Sequence, residues 1–185
     1  MPKIRYPNPS RHSSNMDIVN VGREKLYLLS AALAASRYLA KDCVFFIPGC
    51  GRNAEDEAFA ELRGLLDDFE GKHVTSLLIE TAAISRIRHK DIENEMGKRS
   101  ECPTSVHVGK IRNGVEVYQP MSLKDAWDKV IHAETVHFDY RIPKYEHHRR
   151  YITNSVELKG EYRREPWTVV IDLRKYIRHS AVALR

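Results

Sequence analysis

Near residue 104 the hydrophobic pattern of this chain changes period. Before it, apolar residues recur every three to four positions; after it, they alternate. A chain built this way has to pack helices against β structure. Ile18, Val21, Leu29, Ala32, Ser36 and Leu39 keep helical spacing, and Asp17 suits a cap, which predicts a helix over 17–40. Pro48-Gly49-Cys50-Gly51 interrupts it. Asn53 can cap a second helix, whose first turn holds Glu55, Asp56 and Glu57, where the helix dipole favours acids. Phe59, Leu62, Leu65, Leu66 and Phe69 form its apolar face, and Gly71 is expected to end it. A third helix is expected over 72–96, closed by Gly97 and Pro103.

The second half reads differently. Asn113-Gly114 sits between alternating segments from Val106 to Tyr118, the strongest short hairpin signal. Ser122-x-x-Asp125 then opens a short helix with a capping pattern. Residues 136–142 read as extended, ended by Pro143. A second hairpin is expected to pair 151–158 with 167–173 through a turn at Gly160. A last helix starts near Leu173, with Ile177, Ala181 and Leu184 on one side. The predicted fold is mainly α, or α+β: a bundle of three to five helices with one or two β-hairpins in the C-terminal half. Residues 1–15, rich in Pro, Ser and Asn, are expected to be a flexible arm, and 16–185 a single domain.

A chain of 185 residues can bury a full core, and its 42% apolar and 30% charged content is that of a soluble protein. No apolar run approaches the roughly 20 residues of a membrane span. The first ten residues lack the apolar core of a signal peptide, so cytoplasmic residence is the default expectation. Cys43, Cys50 and Cys102 make an odd count without CxxC spacing, which favours reduced thiols. A net charge of +5 permits a polyanionic partner without requiring one. The basic residues come as small clusters, among them Arg86/Arg88/His89/Lys90, His147/His148/Arg149/Arg150 and Arg174/Lys175/Arg178/His179. A solvated surface and a patch gathered by the fold both remain open.

Two constellations could carry chemistry. On a helical wheel, Val74, Leu77, Thr81, Ile84 and Ile92 form a buried face; Arg88 falls near its middle and Arg86 opposite. A buried cation needs a partner or a ligand. Either Arg88 reaches water or an ion pair, or Arg88 and His89 mark an anion site. Asp128 and His132 stand four apart on the Ser122 helix, so their side chains can touch. A carboxylate beside an imidazole fixes its tautomer, which suits a general acid/base. The apolar stripe of that helix is Leu123, Ala126, Trp127 and Val130, so the pair equally fits an ordinary polar face.

The Ser122 helix resembles the last helix of HEPN-type helical domains. In active HEPN ribonucleases that helix carries Arg-x4-6-His, often with Asn after the Arg, and cleaves RNA without metal across a dimer. Here His132 takes the histidine position and Asp128 the Asn position, while Trp127 stands where the Arg should be. The resemblance covers 17–135 as helix order and only a few residues as motif. The stretch Ser122–Ala133, with the Trp167–Leu173 strand, is also similar to small bacterial proteins with a Leu-Lys/Arg-x-Ala-x-x-Lys-Ile/Val-Ile-His-Ala helix. The resemblance implies a homodimer with an RNA or protein partner, and a binding module lacking the catalytic Arg. The alternative is a metal-independent ribonuclease, of toxin or phage-defence type, in which Arg88 supplies the missing cation to His132.

An intact Arg-x4-His occurs at Arg174–His179, making Arg174, Arg178 and His179 further anion-binding candidates. Chance placement of this many arginines and histidines gives about two or three such spacings, and the chain holds four. His132, His137 and Asp139 could be drawn as metal ligands, but no HExxH or CxxC supports a metal, and no cofactor is expected.

Overall fold

Two long helices make up the first half of the molecule. A computed structural model of the protein describes residues 9–42, 54–96, 104–142 and 150–185. Helix α1 spans Pro9–Asp42 and α2 spans Ala54–Met96. The helix therefore begins within the segment expected to be an arm, and 1–8 lie outside the described residues, as do the break at 48–51, the cap at Asn53, all three cysteines and the stops at Gly97, Pro103 and Pro143. Gly71 does not end a helix: α2 runs through it without interruption. A single glycine costs an interior turn only about 1 kcal/mol, and the Thr75 hydroxyl donates to the Gly71 carbonyl at 2.7 Å. Lys25 pairs with Glu80 at 2.6 Å, and Leu39 shares a groove with Leu66, so α1 and α2 run antiparallel. At Gly22 a Cβ would stand 2.7 Å from Ile84 and 2.8 Å from Leu184, so the glycine allows this close approach.

The remaining elements are β1 (His107–Asn113), β2 (Gln119–Ser122), α3 (Leu123–Ile131), β3 (Thr135–Arg141), β4 (Tyr151–Tyr162), β5 (Glu165–Asp172) and α4 (Leu173–Ala183). The chain is α+β, as its pattern predicts, but the hairpins are not separate additions. They join β3 in one antiparallel five-stranded sheet of order β2-β1-β5-β4-β3. The Asn113-Gly114 turn is present, with Gly114 at φ +53. Pairing resumes only at Gln119, opposite Ile111. Pro120 sits in the edge strand β2, where no ladder hydrogen bond is lost on its outer side. The second hairpin turns at Arg163 and Arg164, not at Gly160, which lies within β4 opposite Trp167.

Alternation along the strands sends Ile152, Val156, Leu158, Trp167, Val169 and Ile171 into the core with the helices. The other face carries Lys110, Arg112, Glu157, Lys159 and Thr168. α3 buries Leu123, Ala126, Trp127 and Val130, the stripe its sequence predicts. The Trp127 indole N–H donates to the Ser180 hydroxyl at 3.1 Å, tying α3 to α4. Tyr176 is fully buried, 3.3 Å from the Thr81 hydroxyl, and burial pushes its phenol above the usual range. α4 thus faces inward with Leu173, Tyr176, Ser180 and Ala183, whereas Ala181, expected on that side, is exposed.

Candidate functional site

The Ser122 capping pattern starts α3 as expected: the Asp125 N–H donates to the Ser122 hydroxyl at 3.2 Å. Three- and four-residue spacing then places Asp125, Asp128, Lys129 and His132 along one polar side. This side lines a cavity of about 480 Å³ with Arg86 from α2, Glu161 and Tyr162 from the end of β4, and Trp167 from β5. Trp167 is buried, and its ring lies against Gly160, where a Cβ would stand 2.4 Å from the ring and 3.0 Å from the His132 carbonyl. The Lys129 ammonium sits 4.4 Å from the Trp167 ring centroid. Burial pushes the Lys129 ammonium below its ordinary pKa, opposed by the nearby carboxylates of Asp125 and Asp128.

The pair expected between Asp128 and His132 is not made. Asp128 Oδ1 instead accepts the Arg86 Nε–H at 2.8 Å. His132 caps the helix C-terminus through its backbone N–H, 3.1 Å from the Asp128 carbonyl, and its side chain is exposed. Two cations and three carboxylates share this cavity, and the better placed cation is already neutralised.

Arg88 does not line this cavity. It is half-buried, with Nε lacking a hydrogen-bond partner. The buried face of α2 is Val74, Leu77, Leu78, Thr81, Ala82, Ser85 and His89, turned by one residue from the expected stripe. His89 therefore enters the core in place of Arg88, its ring 5.9 Å from that of Trp127. His89 Nε2 lies 3.1 Å from Glu93 Oε1 but is not aligned for a hydrogen bond. Glu93 also binds Lys124 at 3.0 Å; that hydrogen bond, with the nearby imidazole, holds its carboxyl below the usual range. His179 is half-buried on α4. Arg174 and Arg178 are exposed and line a different cleft, between α1 and α4, with Arg37 and Asn154.

That cleft adjoins a second cavity, of about 490 Å³, at the opposite end of the sheet. Arg37, Lys110, Arg141 and Lys175 line it, drawn from four elements distant in sequence. Its two carboxylates are engaged. Asp139 accepts from the Thr153 hydroxyl at 3.0 Å, and Asp172 caps α4, accepting from the backbone N–H groups of Arg174 and Lys175. No run of sequence signals this gathering, because the β1–β5, β5–β4 and β4–β3 pairings and the helix layer create it. Among the described residues no group of three or more His, Cys, Asp or Glu could hold a metal, and no helix is long and apolar enough to cross a membrane. The chain matches no family model, no curated protein and no solved structure.

Proposed function

We propose that this protein is a non-catalytic, HEPN-like binding module acting in the cytoplasm. The observation that carries this reading is the Arg86–Asp128 ion pair beside His132. It takes the carboxylate away from the imidazole and neutralises the nearest guanidinium. A general acid/base needs an oriented ring, and a phosphoryl transition state needs an uncommitted cation. The Arg86–Asp128 pair denies His132 its orienting carboxylate and its guanidinium, and leaves only Lys129, set over the Trp167 ring, as a cation. Its mixed charges and the exposed Tyr162 ring suit recognition, where aromatic anchors supply most of the energy. A homodimer, as the HEPN resemblance implies, has an apolar groove to use between α1 and α2, where Leu65 and Phe69 are exposed.

One observation favours the ribonuclease reading. Arg86 stands in the cavity of His132 and could serve the part first given to Arg88, if substrate displaced Asp128. RNA incubated with the protein in EDTA separates the two. Intact RNA with both wild type and His132→Ala is the expected result. Fragments from wild type that His132→Ala abolishes would establish the nuclease and overturn the binding reading.

A further inference from the structure

We propose that the groove joining the two cavities at the Tyr151 end of β4 binds the phosphate backbone of a single-stranded nucleic acid. The cavities share Arg37 and Asn154, so they form one continuous surface. Six cations line it: Arg37, Lys110, Arg141, Lys175, Arg174 and Arg178. Among the described residues none of the six is ion-paired to a carboxylate, and both acids in the groove are held by other donors. Six cations against the two carboxylates of Asp139 and Asp172 leave the lining with a net positive excess, and a polyanion bound there gains by releasing its own counterions.

The distribution of aromatics points to a single strand. Arg37 lies 5.5 Å over the Tyr151 ring, and Lys110 lies 4.6 Å over Tyr118, which Arg112 also approaches at 5.0 Å. Tyr151 is a half-buried ring in the groove wall and Tyr118 a half-buried ring just outside its lining. Rings set beside cations let the bases of a flexible strand stack while the cations track its backbone, without reading sequence. Asn154, Thr153 and Ser155 add hydrogen-bonding groups at the same place. A lone phosphate needs one or two cations, and six spread over two cavities suit several phosphates in a row.

The inference names the partner of the binding module, and so rests on that reading for its role. The test is fluorescence anisotropy of a labelled oligouridylate dodecamer in EDTA across a salt series. Arg141→Gln/Lys175→Gln is compared with Lys72→Gln/Lys90→Gln on α2. All four side chains are exposed, so folding is preserved, and matching thermal melts check it. Lys110→Gln serves as a second groove variant. The groove pair is expected to weaken binding about tenfold or more and to flatten the log–log salt slope by about 1.4, at about 0.7 per lost contact. The α2 pair should change neither. No binding by wild type, or equal loss in both pairs, overturns the proposal. So does binding to phosphatidylserine vesicles without binding to the oligonucleotide. His132-dependent cleavage would overturn the non-catalytic reading instead and leave the groove standing, so the two failures are distinct.

Discussion

Gly160 and Trp167 show how single residues shape the cavity beside α3. The indole occupies the space a Cβ at 160 would need, 2.4 Å away, while the His132 carbonyl closes the other side. Gly160→Ala is therefore expected to cost about 1–3 kcal/mol, because the ring must move out of a packed site. Gly64 is the contrast: a helical glycine with nothing within 4 Å of its Cβ position. Gly64→Ala should stabilise by about 0.5–1 kcal/mol. Thermal melts of the two variants, moving in opposite directions, check both. At this scale the α3 stripe was legible, because one short amphipathic helix has one way to bury Leu123, Ala126, Trp127 and Val130. The buried face of α2 was less so. Over a helix of 43 residues packed on several partners, a one-residue turn of about 100° moves the buried face from Arg88 to His89, whose ring packs by Trp127.

Among the elements, the β4–β5 hairpin carries a turn its sequence does not advertise. Arg163 and Arg164 both have positive φ, 53° and 69°. Such a two-residue turn matches strand twist but suits Asn-Gly, and side-chain residues in it are strained. Arg163→Asn with Arg164→Gly should stabilise by about 1 kcal/mol or more, read as a raised denaturation midpoint in urea. Gly160 misled because glycine commonly marks a turn, whereas here it admits a ring. The helical hairpin depends on charge as well as packing. Hydrogen bonds from Lys25 and then Ser76 hold the Glu80 carboxyl below its ordinary value of 4.5, and Glu80 holds the Lys25 ammonium above 10.5. The carboxylate's contribution is full above pH 4.5 and is lost as pH falls through its lower folded value; the ammonium's is lost as pH rises through its higher one. The stability gap between wild type and Glu80→Gln should be widest between these limits and close below pH 4.5. A gap that does not change with pH, measured by thermal melts, would contradict the pairing.

At the scale of the whole molecule, the basic groove and His132 occupy opposite ends of β4. Tyr151 and Tyr162 end that strand, about 36 Å apart at about 3.3 Å per residue. Pattern reading gave the α+β class, since the period change at residue 104 is local. It could not join Arg37, Lys110, Arg141 and Lys175, which sheet pairing and helix packing assemble from across the chain. On the proposed reading, a strand is anchored in the groove and not at the imidazole of His132. Ultraviolet crosslinking of bound oligouridylate, followed by mass mapping of the joined peptides, measures that separation. Crosslinks at Tyr151 and Tyr118 are the expected result. Crosslinks concentrated at Tyr162 and Trp167, beside His132, would contradict it.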